Sequence, residues 1–435
     1  MFRFALSRTP VGGSQRWRRR VAGSAAALAG SAAALAAPAP TAPPPVTILT
    51  SSPLEGKGNF FISPFGDQST YANGPEILDL GGNVVWFHAV PQGQEASDFR
   101  LQRYHGKPVL TWWQGTGLGG LSSGTDYIYN DHFQRIATVN AGNGLSADGH
   151  EFLITPWDTA LILAYTTATA NLSSIGGPAN QTIINGVVQE IDIATGQVLF
   201  QWNSEDHVPF SQSEQPLPAS ASTRWDWFHV NAVKVDTDGN LLIDARDTWT
   251  TYKVSRATGK IIWQLGGKNS SFKPQAAPGP TLDKAGELFA WQHDPQALGD
   301  NTYTFFDNEA GTTTELVYSR AITVRLDEQN HTATLIKSDN QPEGLSAPSQ
   351  GNAQTTDRGN LVVGWGSLPY FSDSAGRATS SSTRSSPPAL TPTVPTCCRG
   401  RASRSRGREA LAGRCPAFTS CELSLGCPSG PDRGD

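Results

Sequence analysis

The chain has 435 residues, enough to bury a large core as one large domain or two ordinary ones. Its formal net charge is −5, but residues 38–377 carry 34 acidic and 19 basic side chains, a net charge of −15. So acidic a central region argues against a nucleic-acid partner, which needs a basic face for the phosphates.

The first segment is typical of an export signal. Four arginines between positions 16 and 20 precede an alanine-rich run from Val21 to Ala37, and small residues suited to cleavage follow. The run is short and weakly apolar for a permanent membrane span. We therefore predict a signal peptide over residues 1–37, a Pro/Ala-rich linker over 38–45, and a protein that is secreted or held in the cell envelope.

Between Val46 and Arg377 the sequence alternates short β-strand patterns with Gly, Asn and Asp turns. One unit recurs: a Gly-Asn turn, two strands, a Thr-Gly turn and a strand that closes on Trp. Copies lie at 77–86, 189–202 and 238–263, and a partial copy begins at 358. Repeats of roughly 40–50 residues are typical of propeller blades. The sequence predicts an all-β propeller of about six or seven blades over residues 46–377.

The composition changes after Arg377. Residues 378–435 are rich in Ser, Arg and Pro, and they hold all five cysteines, so the preceding region is not a disulfide scaffold. Two interpretations stay open: a disordered tail, or a segment read out of frame, which the composition favours. Either one predicts that the closing blade of the propeller is incomplete and that sheet edges are exposed.

Three histidine-centred clusters occur in three of the similar units. They contain His150, His229 and His293, and Arg246 follows the second cluster. Asn231 lies two residues after His229, so both side chains are expected on one face of a strand. Imidazoles and a guanidinium so far apart in sequence converge only where the fold brings equivalent positions together, as a ring of sheets does. A lone histidine is usually structural, but this set indicates a site for an oxyanion group.

The motifs around these residues resemble the arylsulfotransferase family, in its secreted family-2 branch. The resemblance covers roughly residues 75–372 through many short motifs in the expected order, among them 150–152, 189–192, 228–231, 262–267, 292–294, 306–308 and 364–366. It implies a six-bladed propeller with a central site. It also implies sulfuryl transfer from an aryl sulfate to a phenolic acceptor, with no nucleotide sulfate donor and no cofactor.

The resemblance places the family's nucleophilic histidine at His293, its supporting histidines at His150 and His229, its asparagine at Asn231 and its arginine at Arg246. Such roles suit the residue types. A neutral imidazole attacks a sulfuryl centre and leaves readily. A guanidinium binds its oxygens with paired donors, and His229 would protonate the departing phenolate. These roles predict ping-pong kinetics with a sulfohistidine intermediate.

Three further residues are candidates for binding substrate. Trp249 lies close enough in sequence to Arg246 to stack an aryl ring. His207 lies in a long insertion, Ser204 to Thr223, and such insertions usually form the ligand-facing rim. Arg320 belongs to one of the family-like motifs.

Other functions remain open on the sequence alone. Three histidines on a channel could bind Zn²⁺ or Cu²⁺, but no closely spaced ligand pair supports a metal site, and we predict none. The main alternative to an enzyme is a non-catalytic secreted propeller that binds a carbohydrate or polyphenol. An inactive truncated member of the family is a further alternative.

Overall fold

The computed structural model describes residues 39–51, 58–66, 68–118, 121–309, 318–356 and 359–374, and the backbone alone at 381–385 and 390–398. Short strands make up most of these ranges, and 3-10 turns lie at Ser173–Ile175, Ser204–Asp206, Phe210–Gln212 and Arg246–Thr248. No helix in the described ranges has the length and apolar character needed to cross a bilayer. The predicted signal peptide, 1–37, lies outside them, so export stays a prediction.

The strands divide into two halves. Those of the first half are β1 Thr47–Ile48, β2 Asn59–Gly66, β3 Glu76–Leu78, β4 Val84–Phe87, β5 Glu95–Tyr104, β6 Lys107–Thr116, β7 Ser123–Tyr129, β8 Arg135–Val139, β9 Phe152–Ile154, β10 Thr159–Ala170, β11 Gln181–Asp192, β12 Val198–Asn203 and β13 Trp225–Asp226. Those of the second half are β14 Val230–Val235, β15 Leu241–Ala245, β16 Thr250–Val254, β17 Ile261–Gly266, β18 Lys273–Ala276, β19 His293–Gly299, β20 Thr302–Asp307, β21 Arg320–Asp327, β22 Thr332–Asn340, β23 Asn352–Thr355, β24 Leu361–Gly364, β25 Tyr370–Ser374, β26 Ser381–Ser385 and β27 Leu390–Cys398.

These strands form six sheets, which we number as blades 1 to 6. Their hydrogen-bonded orders are β27-β2-β3-β4, β5-β6-β7-β8, β12-β11-β10-β9, β14-β15-β16-β17, β18-β22-β21-β20-β19 and β1-β26-β25-β24-β23. Pairing within the blades is antiparallel, except that β13 joins β11 and β18 joins β22 in parallel. The predicted all-β propeller is confirmed, with six blades.

The innermost strands of the blades surround a central channel. They are β27, β5, β9, β14, β19 and β23, and each contacts the inner strand of a neighbouring blade. In blades 2 to 4 the inner strand is also the first of its blade in sequence, and in blades 5 and 6 only the outer strands β18 and β1 precede it. The residues just before these strands therefore occupy equivalent places around the axis.

The repeated turns explain why the sequence folds into blades. The best copy of the predicted unit, 238–263, becomes the three strands β15, β16 and β17. Its two turns contain Gly239 with φ +82° and Gly259 with φ +70°. Only glycine enters this left-handed region without a steric cost, so these positions reverse the chain between strands.

The hydrophobic core lies between blades. Six clusters of buried side chains each join two neighbouring sheets, and the largest of them joins blades 3 and 4 around Trp202 and Tyr252. The last interface closes the ring, because Phe60 of blade 1 contacts Phe371 of blade 6 with ring centroids 5.1 Å apart. Each sheet is thus covered on both faces.

Two described strands lie beyond Arg377. The backbone of β26 pairs with β25 and β1, and that of β27 pairs with β2, so chain segments from both ends share blades 1 and 6. The other residues from 378 onward, and the side chains of these two strands, lie outside the described part. The interpretation of 378–435 as a disordered or out-of-frame tail stays a prediction.

Candidate active site

The sequence-predicted histidines lie at one mouth of the channel. His150 precedes β9, His229 precedes β14, and His293 begins β19. Each of these inner strands is antiparallel to the second strand of its blade, so its start lies beside that strand's end. Arg246, directly after β15, and Asn308, directly after β20, therefore lie at the same mouth.

A cavity lies on the axis beside these residues. Its volume is about 530 Å³, including solvent space at the opening, and segments of blades 2 to 6 form its wall. His150, Asn231 and His293 line it, together with Arg100, Glu151, Asp294 and Gln350. The fold thus brings three predicted residues from three different blades to one space.

The neighbours of the buried His293 ring determine its tautomer. Its Nδ1 lies 2.7 Å from Asn308 Oδ1 and 3.1 Å from the carbonyl oxygen of Trp291. Asn308 Nδ2 donates to the carbonyl oxygens of Ala347 and Gln350, so the amide oxygen is the atom that faces the ring. Nδ1 therefore carries the proton, and Nε2 keeps its lone pair. The Gln350 N–H donates to that Nε2 over 3.2 Å.

His293 is also held in its neutral form. Burial lowers its pKa well below 6.5, and the Arg246 guanidinium and the His150 and His229 rings lower it further. The hydrogen bond with Asn308 opposes this shift but does not reverse it. A positive charge in a buried place beside other cations is unfavourable. His293 Nε2 is therefore a free base at neutral pH.

His150 and His229 each bind a carboxylate through Nδ1. His150 Nδ1 pairs with Asp148, and His229 Nδ1 lies 2.6 Å from Asp226 Oδ2. The carboxylates hold a proton on Nδ1 of each ring. The two rings meet edge to face, with centroids 5.2 Å apart and planes at 89°.

His229 has a different protonation state from His293. Burial lowers the pKa of His229, but the charge and hydrogen bond of Asp226, together with the charge of Asp247, raise it to about 9. Arg246 opposes this rise without cancelling it. His229 is therefore a cation and a proton donor at neutral pH. Its neighbour His293 is a base. The two imidazole rings therefore have opposite protonation states because their surroundings differ.

The Arg246 guanidinium is fixed by three contacts. Its Nη1 lies 2.7 Å from Asp247 Oδ1, its Nη2 donates to the carbonyl oxygen of Pro348 over 3.0 Å, and its Cζ lies 4.6 Å from the centre of the Trp291 ring. The buried Nε has no hydrogen-bond partner among the described residues. A fixed guanidinium with an unused donor is suited to bind an anionic oxygen.

Asn231, which lines the cavity, also has an unused acceptor atom. Its Nδ2 donates to the carbonyl oxygen of Gln292 over 2.7 Å, but its Oδ1 has no partner within the described part of the chain. Asn231 is only 4% exposed. A buried acceptor without a partner is costly, so this atom is suited to receive a hydrogen bond from a ligand hydroxyl.

Backbone strain concentrates at this mouth. His229, Trp249, Trp291 and Asp294 have φ between +51° and +60°, a region that side-chain-bearing residues rarely adopt. His229 therefore lies just outside β14, which begins at Val230, and the register shifts between Val230 and Ala232. The expectation that His229 and Asn231 share one strand face was wrong. His229 reaches the site because of its backbone turn.

The three predicted substrate-binding residues lie in different places. Trp249 contacts Trp291 edge to face, with ring centroids 5.2 Å apart, and so lies beside Arg246. His207 stacks on Trp202 at 4.8 Å, against the outer strand of blade 3. Arg320 is buried within blade 5, where Asp307 and two backbone carbonyl groups use its donors. The fold therefore brings Trp249 close to Arg246, but none of the three residues lines the cavity.

Comparison with known families agrees with these observations. The family model described as Arylsulfotransferase (ASST) matches residues 100–375, more than half of the chain. The chain belongs to the arylsulfotransferase family. The resemblance seen in the sequence is thereby confirmed.

Solved structures give weaker similarities to this arylsulfotransferase-family chain. A protein of unknown function from Bacteroides caccae has 10% identity and a TM-score of 0.42, with 73% of this chain and 90% of that one covered. An endo-arabinase from Bacteroides thetaiotaomicron has 8% identity and a TM-score of 0.32, covering 81% and 97%. A catalytically inactive virginiamycin B lyase from Staphylococcus aureus has 10% identity and a TM-score of 0.32, covering 78% and 98%. A comparison with curated proteins gives no match.

The possible metal ligands of this family member do not include the three histidines as a set. In the described part of the chain, the group whose ligand atoms lie within 4.8 Å of one another is Asp226, His229 and Asp247. Asp226 already binds the His229 ring, and Asp247 binds Arg246. The ligand atoms of this group thus pair with one another and with a guanidinium.

Sequence reasoning missed several residues that shape the site. Asn308 sets the His293 tautomer, and its signal was present in the family-like motif at 306–308. Asp148 and Asp226 lie two and three residues before the histidines they bind, so local spacing could have identified them. Gln350, and Lys234, whose ammonium group contacts the cavity-lining Glu151 and Asp294, had no local signal, because their partners are distant in sequence.

Proposed function

We propose that this protein moves a sulfuryl group from an aryl sulfate to a phenolic acceptor through a sulfohistidine at His293. Membership of the arylsulfotransferase family supports the reaction class. The main support for the finer proposal is the neutral His293 ring, whose Nδ1 proton is held by Asn308 and whose Nε2 lone pair faces a cavity beside two cations. This arrangement is what a nucleophilic imidazole requires.

In the first half-reaction, the His293 Nε2 lone pair attacks sulfur, and the bond from sulfur to the aryl oxygen breaks. The departing phenolate takes the bonding electrons and receives a proton from His229. Arg246 donates hydrogen bonds to the sulfuryl oxygens, where charge is concentrated. His150 donates one through Nε2 when its ring carries a proton on both nitrogens, since its Nδ1–H stays on Asp148. The contact between Gln350 N–H and Nε2 gives way, and this N–H then lies within reach of a sulfuryl oxygen.

In the second half-reaction, the acceptor phenol gives its proton to the neutral His229 ring, and its oxygen attacks sulfur. The nitrogen–sulfur bond breaks and returns the lone pair to His293 Nε2. Asn231 Oδ1, which has no partner within the described residues, would accept a hydrogen bond from the phenol hydroxyl. The enzyme is thus restored without a nucleotide donor.

The test is transfer from 4-nitrophenyl sulfate to phenol. Sustained release of 4-nitrophenol is expected only when phenol is present, and without phenol a sulfonated peptide containing His293 should accumulate. His293→Ala should lose both signals, with kcat falling by roughly 10⁴-fold or more. His331→Ala is the control, because this histidine is exposed in the turn between β21 and β22 and does not line the cavity.

Two results would contradict the proposal. One is sustained transfer by His293→Ala. The other is binding of aryl sulfates or polyphenols by the wild-type protein with no turnover, which would favour the non-catalytic binding propeller.

A further inference from the structure

A layer of buried charges lies one residue beyond the histidines. Glu151 follows His150, and Asp294 follows His293. Both carboxylates bind the same ammonium group: Lys234 Nζ lies 2.6 Å from Glu151 Oε2 and 2.8 Å from Asp294 Oδ1. The side chains of Lys234, Glu151 and Asp294 are 6%, 2% and 10% exposed. We call these three residues the lysine bridge.

The lysine bridge crosses three blades. Glu151 belongs to the segment before β9 in blade 3, Lys234 to β14 in blade 4, and Asp294 to β19 in blade 5. Other contacts orient each histidine within its own blade: Asp148 binds His150, and Asn308 binds His293. These contacts do not fix the distance between the two segments. Lys234 binds the residue that follows each of the two histidines, and it therefore fixes this distance.

Loss of the lysine would change the forces between the segments. Glu151 would keep Arg100, 2.8 Å away, and Asp294 would keep the Gln296 side chain and the Ala353 N–H. Arg100, which also contacts Asp98 and acts on Asp294, would then be shared by three buried carboxylates, and like charges in a buried place repel. The expected response is separation of the chain segments that carry His150 and His293.

We propose that Lys234 is a positioning residue, which sets the spacing between His150 and His293 by binding Glu151 and Asp294. This inference rests on the proposed function, because the spacing matters for a sulfuryl group held between the two rings. Lys234 itself does not touch the reacting atoms. Its effect is on the rate at which His293 attacks and not on the affinity for the substrate.

The chain offers a matched control. Lys253 also joins two carboxylates, with Nζ 2.7 Å from Asp236 Oδ2 and 2.8 Å from Asp238 Oδ2, and its side chain is 8% exposed. It lies on β16 of blade 4, away from the inner strand. Lys234→Met and Lys253→Met each remove a buried ammonium group that joins two carboxylates, although Asp238 is 46% exposed. Only the first variant removes a contact between the two histidine segments.

The experiment compares single-turnover sulfonation of His293 by 4-nitrophenyl sulfate in the two variants. Lys234→Met is expected to slow sulfonation about 100-fold, as small misplacement of a reacting group does, with KM nearly unchanged. Lys253→Met is expected to react at nearly the wild-type rate, although its Tm also falls. If Lys234→Met does not fold, Asp294→Asn is compared with Asp236→Asn in the same way. Equal rates in the paired variants would overturn the proposal.

A second readout does not need activity. Crystal structures of both variants should show a changed distance between the His150 and His293 rings in Lys234→Met alone. If the wild-type protein transfers no sulfuryl group, the proposed function fails and this distance still decides the role of Lys234. An unchanged distance in Lys234→Met would overturn the positioning role.

Discussion

Three histidines in one site have different chemistry because their nearest neighbours differ. Asn308, a neutral amide, accepts a hydrogen bond from the Nδ1–H of His293 and adds no charge, so burial keeps that ring neutral. Asp226 is a carboxylate, and it keeps His229 protonated. The sequence indicated three functional imidazoles but not these states, because the contact between Asn308 and His293 and the degree of burial depend on the fold.

The pH dependence of the reaction should follow from these states. His229 acts as an acid only below its pKa of about 9, so kcat/KM for an aryl sulfate with a poor leaving group should fall above that pH. Asp226→Asn removes the charge that raises this pKa, whereas burial continues to lower it. The alkaline limb should therefore move to lower pH by about 1–3 units. The measurement is a pH profile of kcat/KM with phenyl sulfate.

A surface pair provides the control for this profile. His105 Nδ1 lies 3.0 Å from Asp158 Oδ2, and both side chains are exposed. Asp158→Asn should leave the alkaline limb where it is in the wild-type protein. An Asp226→Asn profile that coincides with the wild-type profile would show that His229 is not the titrating acid.

At the scale of single elements, the ends of strands decide where the site forms. The turn-and-strand pattern in the sequence identified the blades, since hairpin turns are local features. The loop before β23 had no such signal, yet its Pro348, Gln350 and Gly351 contact or line the site. Its conformation depends on Asn308 and Phe306, which belong to the neighbouring blade.

Gly351 in this loop leaves no room for a side chain. Its φ is +113°, and an added Cβ would lie 2.3 Å from the buried Phe306 ring. Gly359, in a turn of the same blade, has φ +78° but no atom within 4 Å of such a Cβ. Gly359→Ala should cost about 1–2 kcal/mol from backbone strain. Gly351→Ala should cost about 1–3 kcal/mol more from the collision.

Urea unfolding of the two variants measures this difference. Gly351→Ala should also lower kcat, because Gln350 precedes it and contacts His293, whereas Gly359→Ala should retain the wild-type kcat. Equal free energies of unfolding for both variants would mean that the loop moves away from Phe306 at no cost.

At the scale of the whole molecule, the closed ring makes the site possible. Its predicted residues come from blades 3, 4 and 5, and the cavity wall extends from blade 2 to blade 6. The sequence predicted a propeller from its repeats, since the repeat period is a property of neighbouring residues. How the terminal strands share blades 1 and 6 was not evident, because β1 and β27 pair with strands far away in sequence.

The interface between blades 6 and 1 should carry as much stability as an internal one. Phe371 is 1% exposed and contacts Phe60 across this interface. Phe371→Ala should lower the free energy of unfolding by about 3–5 kcal/mol. The matched variant is Phe289→Ala, since Phe289 is 1% exposed in the cluster between blades 4 and 5 and contacts Phe305 at 5.0 Å.

Both variants are compared by urea unfolding followed through tryptophan fluorescence. A closed ring predicts similar losses and a single cooperative transition for each. A near-zero loss for Phe371→Ala beside a large loss for Phe289→Ala would show that the ring is open between blades 6 and 1.

The sequence by itself determined the blade architecture, the family and the residue types at the site. Strand period, turn glycines and short ordered motifs are local, so they can be seen along the chain. Only the tertiary structure decided the lone pair of His293, the charge of His229, the unused donor of Arg246 and the bridge at Lys234. It also placed Trp249 close to Arg246, His207 against Trp202 and Arg320 within blade 5. Each of these outcomes depends on burial and on partners from other blades, which form only when the ring closes.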